Sequence, residues 1–221
     1  MMPENRFEKT ESRTIGCVLM ASGKSLRYGT NKLLERLGGR ELILHTAYHL
    51  REAGVFVSEN REACLEIVAV TNDTAVRTLL TAHGFACVSP LGARKSDTMH
   101  AGLRAFASPA GFLFMPADQP LLRPETIRAM ALRFLEAPGT VMRLSFKGVC
   151  GSPVIFPYAM KEDLLCYEGE KGGRELLRPD AFGKFEAMNE WELWDADTPE
   201  SMEKIREVYS SVVTKQECVT S

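Results

Sequence analysis

Eleven consecutive residues, Ser22-Gly23-Lys24-Ser25-Leu26-Arg27-Tyr28-Gly29-Thr30-Asn31-Lys32, combine three cations with no acid. Their two glycines let the backbone fold back so that several N–H groups can aim at one spot. Ser25 and Thr30 add hydroxyl donors. A triphosphate needs this combination, convergent donors plus positive charge, where water is partly excluded. Neither familiar phosphate loop fits. A Walker A loop has four residues between its glycines and a lysine after the second; here five residues separate Gly23 from Gly29, and Thr30 follows. A dinucleotide fingerprint fails because Ser25 takes the place of its second glycine. The residues alone leave two readings: a phosphate cradle, or a solvated turn with scattered charge.

Asp118, in Met115-Pro116-Ala117-Asp118-Gln119-Pro120, follows an apolar run. A carboxylate at a strand end can hold Mg²⁺ against phosphate oxygens, but Asp beside Pro is also ordinary turn chemistry. Asp195-Ala196-Asp197-Thr198-Pro199-Glu200 offers two more carboxylates. Its last three residues form a helix start, with a Thr N-cap, Pro at the first position and an acid in the first turn. Asp197 or Asp195 could be a second metal contact or part of that cap. Lys95-Ser96-Asp97-Thr98 precedes a helical stretch and reads as an N-cap at Ser96 or Asp97. Gly151-Ser152-Pro153-Val154 and the charged, Gly-rich Glu168–Arg174 suit a hairpin tip and a flexible loop. His45 and His49 lie four apart on a predicted helix but have no third ligand nearby, which argues against zinc.

These residues sit between recognisable elements. Ile15–Ala21 is a continuous apolar run of the kind found in a parallel strand buried on both faces. Glu41–Ala53 follows at helical period, then a strand at Leu65–Thr71, a helix at Thr74–His83 closed by Gly84, and a strand at Phe85–Val88. A helix at Thr98–Ala107, a fourth strand at Gly111–Met115 and a helix at Pro124–Glu136 continue the alternation. Short strands alternating with longer helices predict an α/β domain with a mostly parallel sheet and ligands at the strands' carboxyl ends. Val141–Lys147 and Val154–Phe156 break the pattern and read as a β-ribbon or insertion. A final helix runs from Thr198 to about Val213. The expected organisation is a polar extension at 1–13, one domain over 14–213 and a polar tail at 214–221.

The 221 residues, 45% hydrophobic and 25% charged, suit an ordinary globular protein. A net charge of −2 gives no support for nucleic acid or a membrane surface as partner, so any phosphate site must be made locally. No apolar run approaches the roughly 18 to 20 residues that span a bilayer. The polar start is neither signal peptide nor anchor, so a cytoplasmic location is expected. Six cysteines without a C-x-x-C pair read as reduced core thiols. No nucleophile elbow or Ser/His/Asp order appears.

Residues 21–34, Ala-Ser-Gly-x-Ser-x-Arg-Tyr-Gly-x-Asn-Lys-Leu-Leu, resemble the signature loop of the molybdenum-cofactor nucleotidyltransferases. Gly23, Ser25, Arg27, Gly29, Asn31 and Lys32 match in register; Ser22 and Tyr28 depart from the usual Ala and Met. Asp118 falls in a segment similar to the family's Ala-Asp-x-Pro, and Asp195–Glu200 resembles its Asp-x-Asp-Thr-Pro-Glu. Gly151-Ser152-Pro153-Val154 looks like Gly-Asn-Pro-Val, with Ser152 for Asn, and Gly169–Arg174 resembles Gly-Asp-Lys-Gly-Gly-Arg. The matches run from residue 15 to about 205.

The resemblance implies a Rossmann-like three-layer α/β/α sandwich of the nucleotide-diphospho-sugar transferase type, with a small β-ribbon insertion. It implies a Mg²⁺-dependent transfer of CMP from CTP to the phosphate of molybdenum-bound molybdopterin, with release of pyrophosphate. Ala21, Ser22, Gly23, Ser25, Arg27 and Lys32 would bind the triphosphate, and Ser96 and Thr98 would lie by the base. Arg27, Lys32 and Asp118 would be catalytic, with Asp118 and Asp197 on the metal. Lys171 and Arg174 would meet the acceptor, and a molybdenum hydroxylase would receive the product. Ala21-Ser22-Gly23 is nearer the Ala-Ala-Gly of cytidylyl members than the Ala-Gly-Gly of guanylyl ones, which favours CTP over GTP. A guanylyl enzyme, a transferase on a sugar or alditol phosphate, and a non-catalytic pterin chaperone are the other readings.

Overall fold

The computed structural model describes residues 13–22, 31–59, 64–169, 173–177 and 181–219. Its centre is the strand Thr14–Met20 (β1), whose five middle residues are buried. Pairing with Cys64–Val70 (β4) on one side and Gly111–Pro116 (β6) on the other, both parallel, satisfies every edge of β1. Ala86–Val88 (β5) extends the parallel half beyond β4. The alternation inside β1 decides which helices cover it. Ile15, Cys17 and Leu19 share a core with Leu44, Ala47 and Leu50 of Leu42–Glu59 (α1), Val76 and Leu80 of Thr74–Ala82 (α2), and Ile127, Met130 and Phe134 of Pro124–Glu136 (α4). Val18 faces the other way, with Phe112, Phe114 and Phe156, toward Met99 and Leu103 of Lys95–Arg104 (α3) and Leu164 of Lys161–Cys166 (α5). Three layers result, as expected from strands apolar on both faces.

Val141–Phe146 (β7) and Val149–Pro157 (β8) do form a hairpin. Lys147 (φ 47°) and Gly148 (φ 85°) both take the left-handed conformation that a two-residue hairpin turn requires. The hairpin is not an insertion, however. β8 pairs antiparallel with β6, and Phe182–Glu186 (β9) adds a further strand beside β7, giving one seven-stranded sheet, β5-β4-β1-β6-β8-β7-β9. The free edge of β6 has to be paired, and Ser152–Pro157 of β8 is buried throughout. A small antiparallel ribbon is present elsewhere: Arg36–Leu37 (β2) and Arg40–Glu41 (β3), turning through Gly38 and Gly39.

The last helix, Pro199–Val219 (α6), runs past the expected end near Val213. A third apolar cluster, with Leu37, Leu42, Leu121, Met202 and Ile205, fastens α6 to the ribbon and to the segment after β6. α1 likewise outruns Ala53. At Gly54 it lies close on β4: a Cβ there would sit 3.3 Å from Leu65. The proposed N-terminal extension, apart from Arg13, falls outside the described residues. Among those described, no helix is long and apolar enough to cross a membrane. The five cysteines described are free, but only Cys17 is buried in the core; Cys64 and Cys166 are exposed, which corrects the expectation of core thiols. Their apolar-looking neighbours end at element edges, where side chains reach water.

Candidate active site

The chain leaves β1, builds the sheet outward through β4 and β5, then returns to β6 on the other side of β1. Such a reversal opens a crevice at the carboxyl ends of the two central strands. Met20 lies opposite Pro116, so the segments beginning at Ala21 and Ala117 emerge side by side. The Ala21 N–H donates to the Val70 carbonyl at 2.9 Å, and the Ala117 N–H to the Met20 carbonyl at 3.2 Å. The Ser22 hydroxyl also donates to the Val70 carbonyl, at 2.9 Å. Gly23–Thr30, with Ser25 and Arg27, lie outside the described residues.

At Asn31 the chain is fastened down. The Asn31 side-chain oxygen accepts from the Leu33 N–H at 3.0 Å and so caps the short 3-10 turn Lys32–Leu34. Its amide donates to Asp73 Oδ2 at 2.8 Å, while Asp73 Oδ1 accepts from the Val76 N–H at 2.9 Å and caps α2. The end of the first loop is thereby moored to the loop after β4. Leu33, 4% exposed, anchors the same turn in the core.

Lys32 is aimed across the crevice. Its Nζ lies 2.5 Å from Asp118 Oδ2 and 2.6 Å from Asp197 Oδ1, joining residues 86 and 165 positions away in sequence. Lys32 and Asp118 are each 15% exposed at the side chain; Asp197 is 63% exposed. Burial works against the Lys32 ammonium, but Asp118 and then Asp197 outweigh it and hold its pKa above the ordinary lysine range. The bond from Lys32 holds Asp197 below the usual carboxylate range. Asp195 goes the opposite way. It is exposed as a residue, yet partial shielding of its carboxyl, followed by the charges of Asp197 and Asp118, pushes it up to about 6.

Backbone contacts fix Asp118. Buried Thr46 of α1 donates its hydroxyl to the Ala117 carbonyl at 3.1 Å, and the Ala196 N–H donates to the Asp118 carbonyl at 3.0 Å. The Gln119 amide donates to the Leu193 carbonyl at 3.3 Å, tying the same segment to the turn before Asp195. Gly151 belongs to this support: a Cβ there would lie 3.0 Å from Leu193, so the glycine admits that turn against β8. Thr198 caps α6 as expected, accepting from the Ser201 N–H at 3.1 Å.

Of the residues singled out in sequence, Lys32, Asp118 and Asp197 converge. Ser96 and Thr98 are buried in the first turn of α3, which begins at Lys95 rather than Thr98. Asp97, expected as a possible N-cap, instead reaches back to the Arg94 N–H at 3.0 Å and starts the helix early. Ser96 is 0% exposed, its hydroxyl has no hydrogen-bond partner, and its N–H donates to the Gly169 carbonyl at 3.1 Å. Lys171 lies outside the described residues; Arg174 opens a 3-10 turn, Arg174–Leu176. Sequence reasoning gave no role to Asp73 or Thr46. Asp73 carried a legible signal, an aspartate one residue before a helix; Thr46 carried none, being an apolar-face threonine until α1 is docked on the sheet.

Asp118 and Asp197 suit a hard divalent cation, which binds through one or two carboxylates together with phosphate oxygens. Among the described residues no group of three or more His, Cys, Asp or Glu is placed so that it could hold a metal ion. His45 Nε2 and His49 Nδ1 are each 2.8 Å from backbone carbonyls, of Leu37 and Leu122, and so are core-edge residues. Burial lowers both, His49 to about 4.

A crevice at the ends of two parallel strands that gathers a lysine and carboxylates suits a transferase that handles nucleotides. The chain belongs to the MobA-like NTP transferase domain family, whose model matches residues 17–186, and is a nucleotidyltransferase. It is 31% identical over 208 residues to the purine catabolism protein PucB of Bacillus subtilis (strain 168), across 87% of this chain and 96% of that one. Rv0371c from Mycobacterium tuberculosis H37Rv superposes with a TM-score of 0.72 at 22% identity, covering 89% of this chain and 99% of the other. The same mycobacterial protein is known in a complex with manganese, at a TM-score of 0.69, 20% identity and the same coverage. Molybdopterin-guanine dinucleotide biosynthesis protein A from Archaeoglobus fulgidus superposes at 0.65 with 16% identity, over 90% and 99% of the two chains.

Proposed function

We propose that this nucleotidyltransferase moves CMP from CTP to the phosphate of molybdenum-bound molybdopterin, releasing pyrophosphate and leaving a molybdopterin dinucleotide. The observation that carries the reading is Lys32 held between Asp118 and Asp197 at the mouth of the first loop. The acceptor class is supported by the relative named for molybdopterin-guanine dinucleotide biosynthesis and by the family loop at residues 21–34.

An acceptor phosphate oxygen attacks the α-phosphorus. A new P–O bond forms as the bond to the β-phosphate oxygen breaks, and pyrophosphate carries away the electron pair. The acceptor oxygen is already anionic, so no protein nucleophile or strong base is required. Catalysis rests on positioning and charge compensation. Arg27 and Lys32 compensate the triphosphate, with Gly23, Ser25 and the backbone at Ala21 and Ser22 around it, since the Ser22 hydroxyl is committed to Val70. Ser96 and Thr98 support the base, and Lys171 and Arg174 meet the acceptor. Asp118 and Asp197 would hold Mg²⁺, which when bound offsets negative charge on the phosphate oxygens. The product goes to a molybdenum hydroxylase, and the enzyme works in the cytoplasm.

The test is to supply Mg²⁺, each of the common ribonucleoside triphosphates in turn, and as acceptor either molybdenum-loaded molybdopterin or a sugar or alditol phosphate, and to measure pyrophosphate. Release with CTP is expected. Release with GTP alone makes the enzyme guanylyl-specific, and release only with sugar or alditol phosphates moves the acceptor class. No release under any condition ends the enzymatic reading and leaves a pterin-binding chaperone.

A further inference from the structure

The geometry points to Lys32 as a built-in stand-in for the divalent cation: its ammonium occupies the space between Asp118 and Asp197 and must leave before a metal ion can be held there. This rests on the assignment of those two carboxylates under Proposed function. Both carboxylate oxygens lie within 2.6 Å of one nitrogen. A Mg²⁺ ion bound by the same oxygens would sit about 2.0 to 2.1 Å from them. The two cations therefore claim one place.

The structure also shows what can move. The backbone of Lys32 is fixed by the Asn31 cap, by Asp73 and by buried Leu33, so displacement falls to the flexible four-carbon side chain. Lys32 and Asp118 are shielded, while Asp197 is open to solvent. Asp195, hydrogen-bonded to Asp197, puts a third acid in the cluster, so one lysine does not neutralise it. A triphosphate offers the ammonium a new set of oxygens as it delivers its own metal ion. Binding is consequently ordered: free metal binds weakly, and metal with triphosphate binds together as Lys32 swings from carboxylate to phosphate. Without nucleotide, Lys32 compensates only part of the negative charge in the crevice.

Mn²⁺ titrations of the full chain, following the EPR signal of free Mn²⁺ without nucleotide, test this directly. Lys32→Met and Lys32→Gln should bind Mn²⁺ more tightly than the unmodified protein, by roughly tenfold or more, the scale of coupling between close charge pairs. Adding Asp118→Asn to Lys32→Met should abolish the gain. Unchanged or weaker Mn²⁺ binding in both Lys32 variants overturns the inference. If Asp118→Asn alone still weakens Mn²⁺ binding, the metal assignment survives that failure. A gain that persists with Asp118→Asn overturns both, because the ion then sits elsewhere. In the unmodified protein, the Lys32 ¹⁵Nζ resonance should shift when Mg²⁺ and a non-hydrolysable CTP analogue are added together, and not with the same Mg²⁺ alone. An equal shift with Mg²⁺ alone overturns the ordered displacement.

Discussion

The end of β6 and the start of α6 each present a carboxylate to the same ammonium, but the two are built differently. Asp118 leaves a strand buried on both faces, and its peptide neighbourhood is held by Met20, Thr46 and Ala196. Asp197 stands in an exposed cap, carried by a helix that reaches the domain through a small separate core. A group fixed by the main sheet is preorganised and costs little to hold in place when charge develops. A group on an exposed cap can approach and retreat. The comparison assigns Asp118 the constant part of the site and Asp197 an adjustable part.

The largest expected difference follows. Asp118→Ala should lower pyrophosphate release by roughly three orders of magnitude, the upper range for loss of one preorganised electrostatic group. Its melting temperature should stay within about 5 °C of the parent. Full activity would remove Asp118 from the mechanism. Asp197→Ala should cost about tenfold or less, in keeping with an exposed ion pair; a loss equal to that of Asp118→Ala would erase the distinction.

Thr46→Val keeps the shape of the side chain but takes away the hydroxyl that meets the Ala117 carbonyl. About 1–3 kcal/mol of stability should be lost, read from the urea midpoint, since a buried acceptor is left unpaired. A several-fold fall in turnover should accompany it, and unchanged turnover would show that this mooring does not set the position of Asp118.

The smallest effect is a pH slope. Asp195 is raised from its unfolded value of 3.8 to about 6, so in that window the folded chain binds a proton more readily than the unfolded one. Its contribution to stability therefore falls as pH rises from about 4 to about 6. Asp195→Asn, neutral throughout, should show a melting temperature that gains on the parent across that window and keeps the gain above it. The opposite slope from His49, lowered to about 4, is common to both proteins and cancels. Parallel melting curves would show that Asp195 does not feel its neighbours.

Much of this was legible in the residues. Four strands are legible in their apolar runs, most plainly β1 and β6, because a strand buried on both faces cannot hide that composition, and the caps at Asp73 and Thr198 follow from side chains that satisfy the nearest N–H groups. β9 was missed because FGKFE lies at a sheet edge, partly exposed, where no continuous apolar run is needed. The hairpin β7–β8 was seen, but its merger with the main sheet was not, since a strand does not state its partner. In the site, the three converging residues were each singled out, yet nothing local said that they share one nitrogen.

Sequence by itself determined most of the elements and the family, because these depend on residues within a few positions of one another. Only the tertiary structure decided that Lys32 faces Asp118 and Asp197 together, that Thr46 and Ala196 hold the segment carrying Asp118, and that Ser96 is buried. Those facts depend on strand order and on which face a helix turns inward. They come from burying two faces of one sheet at once, a constraint that acts on the whole chain and is written in no single segment.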